Sequence, residues 1–150
     1  MLDQERGSII RFFQSVNSVQ IYLERIPEDM IIPSMYFPTP LTDGDRDSLS
    51  SYMNDYQMFI KVFEISTPSA FITAEKIMEA VKKNRNLIEI YNQDGTTTNH
   101  FLRIDKMRSR EIETGVYQIE INWRSRRELQ RTETAKMAKV NFDMKLGGAN

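Results

Sequence analysis

The most constraining feature of this chain is a change in the period of its apolar residues. Between Tyr117 and Arg124 the residues alternate strictly, with Tyr117, Ile119, Ile121 and Trp123 set against Gln118, Glu120, Asn122 and Arg124. A period of two with one apolar set is a strand with one buried face. Upstream, Phe71, Ala74, Ile77, Met78 and Val81 recur at spacings of three and four, while Glu75, Lys76, Glu79, Lys82 and Lys83 fall on other faces. That is an amphipathic helix with a single apolar stripe. Thr67 reads as its N-cap, and Pro68 takes the first helical position, where a missing N–H costs nothing. Lys82 and Lys83 suit the negative end of the helix dipole, and Asn84 or Asn86 ends the helix. A helix with one apolar stripe and a strand with one apolar face can cover each other. This pair, between Thr67 and Arg127, is the expected core.

The remaining segments arrange themselves around it. Residues 3–16 carry a broad apolar face of Ile9, Ile10, Phe12, Phe13 and Val16 and read as a short helix, weakened in its first turn by Gly7. Residues 19–25 alternate and read as a strand. Four of the five prolines, Pro27, Pro33, Pro38 and Pro40, lie in residues 26–40. Proline cannot donate to a ladder, so this region is expected to be extended loop or edge, with room for one short edge strand at Ser34–Phe37. Asp43-Gly44-Asp45-Arg46-Asp47-Ser48 reads as a polar turn. Its acids do not make an EF-hand, because position 54 is Asn54 where that loop needs a bidentate glutamate. Residues 51–65 form a long strand with Tyr56, Met58, Ile60 and Val62 on one face and a mixed set on the other. After the helix, Leu87–Tyr91, the strand from Phe101 towards Ile112, and residues 116–124 make a meander. Its turns are an Asn92–Asn99 hairpin loop, with an Asp94-Gly95 signal, and Thr114-Gly115. The expected class is α+β: one mainly antiparallel sheet with helices packed on it, forming a single domain over residues 1–128. Residues 129–150 read as a C-terminal extension or arm. Within it, Val140-Asn141-Phe142-Asp143-Met144 alternates like a strand that could join this sheet or a neighbour's.

Sites for chemistry are scarce. There are no cysteines, which removes disulfides, thiolate nucleophiles and Cys-based zinc centres, and the single histidine, His100, sits beside the hairpin loop. No G-x-S-x-G, G-x-x-x-x-G-K-[ST] or G-x-G-x-x-G string occurs. The acid pairs Glu28-Asp29 and Glu111/Glu113 have the spacing of ordinary surface residues. No catalytic, cofactor-binding or metal-binding residues are assigned, and the chain is not expected to be an enzyme. No apolar run approaches the roughly 18 residues of a membrane span, and the acidic, mixed N-terminus does not read as a secretory leader.

Charge is the informative remainder. Residues 1–75 carry 5 basic and 11 acidic side chains, and residues 76–150 carry 15 and 10. The halves intermix on folding, so this is either chance or a subunit with one acidic and one basic flank, suited to head-to-tail packing with its own copies. The basic excess centres on Arg103, Lys106, Arg108 and Arg110, followed by Arg124, Arg126, Arg127 and Arg131. If these two strands pair, they form an arginine band. Nucleic acid is one reading of such a band. The interleaved Asp105, Glu111, Glu113, Glu120 and Glu128, with a sequence pI near 5.9, fit a protein interface of Arg–carboxylate pairs better.

Several short strings occur together in one order: Ile32-Pro33-Ser34-Met35-Tyr36-Phe37-Pro38, Ile60-Lys61-Val62-Phe63-Glu64, Ala74-Glu75-Lys76-Ile77, Asn86-Leu87-Ile88, Asp94-Gly95, Gly115-Val116-Tyr117-Gln118 and Trp123-Arg124-Ser125-Arg126-Arg127. Over roughly residues 19–128 the chain resembles the tail terminator, or tail completion, proteins of tailed phages, prophages and phage-tail-like bacteriocins. The resemblance implies an α+β subunit made in the bacterial cytoplasm and carried in the virion or tail-like particle. There it closes as a hexameric ring on the end of the tail tube, stops polymerisation and offers a docking face to the neck or head. Its implied partners are its own copies, the tail tube protein, and sheath and neck or collar proteins, with no cofactor and no membrane. Another head–tail connector or tube-like subunit is the alternative, and a nucleic-acid-binding domain a more distant one. Candidate interface residues are Arg103, Arg108, Arg110, Arg124, Arg126, Arg127, Arg131 and Phe142 for contacts between subunits. Asp43, Asp45 and Asp47, with Asp94 of the hairpin, are candidate tips facing tube or neck.

Overall fold

A computed structural model describes residues 2–46 and 51–128. The helix expected from the three-and-four spacing is α2, Thr67–Lys83. Its cap is one residue earlier than expected: Ser66 is extended (φ −143°, ψ 161°), and its hydroxyl accepts the Ser69 N–H. Thr67 is instead used for tertiary contact. Its hydroxyl accepts the Gly115 N–H at 3.0 Å and donates to Glu111 at 3.2 Å, tying the helix start to the last turn of the meander. The buried stripe is Ala70, Ala74, Ile77, Met78 and Val81. Phe71 lies on its margin, exposed, with its ring edge-on to Tyr117 at 5.7 Å. Asn84 closes the helix, its N–H reaching the Ala80 and Val81 carbonyls.

The strands are β1 (Gln20–Tyr22), β2 (Ser34–Tyr36), β3 (Leu41–Arg46), β4 (Ser51–Phe63), β5 (Leu87–Tyr91), β6 (Thr97–Glu113) and β7 (Val116–Glu128), and the N-terminal helix α1 is Leu2–Val16. The sheet order is β1-β2-β4-β7-β6-β5, with β3 beside the first half of β4. Among the described residues every pairing is antiparallel except β1 with β2. The class is α+β, as the patterning implies.

Three expectations change. Ser34–Tyr36 is interior, with β1 on one side and β4 on the other. Pro33 and Pro38 flank this strand, so its three residues keep all their ladder donors. The Asp43–Ser48 turn is largely strand: Leu41 to Arg46 pair with Gln57 to Tyr52. The ladder uses backbone groups, and β3 is an outermost strand, where polar side chains are tolerated. The Asn92–Asn99 loop is shorter, because β6 already begins at Thr97. Gly95 (φ +89°) sits in the left-handed region, the Asn92 N–H reaches the Thr96 carbonyl, and Asp94 accepts from the Thr96 backbone and hydroxyl.

β4 and β7 pair along their whole length, Ser51↔Glu128 to Phe63↔Val116. β6 divides its length. Residues up to Arg103 pair with β5, residues from Ile104 pair with β7, and a bulge at Asp105 marks the change. Both helices cover one sheet face. There Tyr56, Met58, Ile60, Ile119, Ile121, Trp123 and Ile104 meet Ile9 and Phe13 of α1 and Ile77 and Val81 of α2. Burying side chains of this size contributes roughly 1.5–3 kcal/mol each. Trp123 is central: its ring lies 5.3 Å from that of Tyr56, and its indole N–H donates to Glu5 of α1. The tight turn before β7 depends on Gly115 (φ +77°), since a β-carbon there would stand 2.7 Å from the Glu64 carbonyl oxygen.

Candidate assembly interface

Alternation that turns Ile119, Ile121 and Trp123 inward turns Gln118, Glu120, Asn122 and Arg124 outward. Neither α1 nor α2 covers that outer face, and Arg108, Arg110 and Arg124, singled out in the sequence, lie on it. Register places Arg108 of β6 opposite Glu120, with Phe59 of β4 opposite on the other side. The Glu120 side chain is only 5% exposed. It accepts from Arg108 Nε at 2.9 Å and Gln118 Nε2 at 3.3 Å, and Arg110 Nε stands at 3.6 Å. The two arginines are 68% and 65% exposed. One desolvated carboxylate therefore anchors two guanidiniums whose remaining donors face solvent. A buried carboxylate needs such partners to stay charged, and arginine's fork leaves donors free for a second acid.

A second cluster lies one step along. Arg124 donates to Asp105, the bulge residue, at 3.1 Å and stands 3.9 Å from Asp55 of β4. The bulge inserts one extra residue into β6, which aims a carboxylate across β7. Arg124 also borders a recess with Arg103, His100, Phe101, Glu5 and Ser125, where β6 parts from β7. The Glu5 carboxylate at its floor accepts from Ser125 at 2.6 Å and Trp123 at 3.3 Å.

The structure thus brings together Arg108 and Arg110 around Glu120, and Arg103 and Arg124 around the recess. Asp43 is exposed on β3, in register with Asp55 across the ladder. Asp94 lies apart, in the β5–β6 turn, where the Thr96 hydroxyl and then its backbone N–H hold its carboxyl below the ordinary value. The backbones of Asp45, Arg126 and Arg127 belong to β3 and β7. Asp47, Arg131, Phe142 and the expected arm lie outside the described residues.

Of the two carboxylates that organise these clusters, Glu120 was named only as one of five interleaved acids, and Glu5 was not singled out from sequence. Glu5 shares the four-residue spacing of Ile9 and Phe13, so an acid on a buried stripe was its available signal. Glu120 carries no local signal, since its burial follows from the β4–β7–β6 register. Among the described residues no group of three or more His, Asp or Glu side chains is placed to hold a metal ion. No helix of the described residues is long and apolar enough to cross a membrane.

No family model matches the sequence. It is 31% identical over 125 residues to the uncharacterized protein YqbJ of Bacillus subtilis strain 168, covering 83% of this chain and 86% of that protein. It is 28% identical over 142 residues to the phage-like element PBSX protein XkdJ of the same organism, covering 95% and 97%. Among solved structures, a chain of the virion of a native gene transfer agent particle superposes with a TM-score of 0.53 at 14% identity, covering 85% of this chain and 96% of that one. At that identity the likeness is one of fold.

Proposed function

Because the chain belongs to the family of YqbJ and the PBSX element protein XkdJ, we propose that it is a structural protein of a phage-like particle and, more finely, its tail terminator. In this reading it closes as a hexameric ring on the end of the tail tube, stops polymerisation and presents a docking face to neck or head proteins. It has no catalytic role. The observation that carries the reading is the outer face of β4–β7–β6: among the described residues no helix covers it, and Arg108 and Arg110 are held outward by a buried glutamate. A terminator must match the stacking surface of the tube on one side and refuse another ring on the other, which is a problem of shape and charge. The β3 acids and the Asp94 turn are the proposed tube- or neck-facing tips. The arginines of β6 and β7 are the proposed contacts between subunits.

Deleting the gene and measuring particle tails by electron microscopy tests this. Tails of abnormal and dispersed length, restored by supplying the chain in trans, are the expected result. Tails of normal length that fail to join heads would replace the terminator reading with a neck connector. Complete particles of normal length would overturn both.

A further inference from the structure

Strand order sorts the charges by edge. β1 is one border of the sheet, and the segment from Leu23 to Ile32 leaves from it. That segment carries Glu24, Glu28 and Asp29 against a single base, Arg25. None of these acids has a basic partner within 4.0 Å among the described residues, and Ile31 beside them is 59% exposed. At the far side of the sheet, β5 covers only the first part of β6, so from Ile104 onward β6 is itself a border. Arg103, the last residue paired with β5, and Lys106, just past the start of the border, are exposed and without a carboxylate within 4.0 Å among the described residues, and Phe101 nearby is 53% exposed. Arg108 and Arg110 share one glutamate between them.

We propose that the acidic Leu23–Ile32 segment of one copy docks on the next copy where the basic β6 border begins, at Arg103 and Lys106. This deepens the ring reading above and rests on it. A two-fold contact through one border alone brings that patch against itself, which here would set acid on acid or base on base. A head-to-tail contact sets acid on base at every junction and leaves both borders available for closure into a ring. Each border also has an exposed apolar side chain, Ile31 on one and Phe101 on the other, to supply the water-excluding centre that charge alone does not. The charges set register and encounter rate, so assembly weakens as salt rises.

Charge-swap complementation tests the contact. One variant carries Glu28→Lys and Asp29→Lys, the other Arg103→Glu and Lys106→Glu. All four side chains are exposed, and Arg108, Arg110 and Glu120 are left intact. Circular dichroism and thermal melting first establish that both variants keep the wild-type fold, and native mass spectrometry then reads assembly across concentration. Each variant alone should need about tenfold or more protein than wild type to form the ring. An equimolar mixture should restore assembly, with both variants in equal number in each ring. Wild-type rings with variants that assemble as well as wild type, or folded variants whose mixture fails to assemble, overturn this contact and leave the ring standing. A wild-type chain that stays monomeric at every concentration and on tube ends removes the ring, and the contact with it.

Discussion

The two faces of β7 are built from neighbouring residues and have opposite fates. Ile119, Ile121 and Trp123 are wholly buried under two helices, while Glu120 and Arg124 look the other way and pair, among the described residues, with side chains of their own sheet. The inner face is closed by packing within one chain, and the outer face leaves donors unspent. Stability should therefore reside on the inner face and assembly on the outer one, although a single residue step separates them.

The largest break in that contrast should come from Trp123→Ala. It empties the centre of the core and should cost about 3–5 kcal/mol in chemical denaturation. A loss below about 1 kcal/mol would mean that the inner face is not the seat of stability. Glu5→Ala should follow at about 1–3 kcal/mol, because it leaves the buried Trp123 N–H and Ser125 hydroxyl without this acceptor. Glu5→Gln, which keeps one acceptor oxygen, should recover part of the loss. On the outer face, Glu120→Ala should cost only about 1 kcal/mol, since the arginines it releases are already well solvated. Its effect on ring formation should exceed its effect on melting. Arg124→Ala should change stability by no more than about 0.5 kcal/mol, its two acids being partly exposed. A large destabilisation would erase the distinction between the faces.

The smallest effect concerns the β5–β6 turn. The folded Asp94 carboxyl titrates below its ordinary 3.8, owing to hydrogen bonds from Thr96. A lowered value stabilises the ionised, folded form. The contribution is complete above the ordinary value and disappears as pH falls through the lower folded one. NMR titration of Asp94 should show the depressed midpoint, and Thr96→Val should move it upward.

What was legible in the sequence divides along the same line. Periodicity revealed α2, β4 and β7, because each shows one apolar face to a shared core, and period is a local property. It did not reveal β3, whose polar residues Asp43 and Asp45 look like a turn while their backbone pairs with β4. Nor did it separate Ser66 from Thr67 as the cap, since both hydroxyls suit the position and only the contact with Gly115 and Glu111 distinguishes them. Phe71 fits the stripe by spacing yet lies outside it, because Tyr117 takes its ring at the margin. The arginines of the band were visible as composition. Glu120 was visible only as one of several interleaved acids, and its burial and its pairing with two of the arginines were not, because Arg108 and Glu120 meet only through strand register.

Arginine-directed chemical footprinting, comparing free chain with assembled particles, tests the central claim most directly. Arg108, Arg110 and Arg124 should react readily in the free chain and become protected in the particle, with core packing unchanged by near-ultraviolet circular dichroism of the free chain. Equal reactivity of all three in both states would contradict the account, because the outer face of the sheet would then meet no protein.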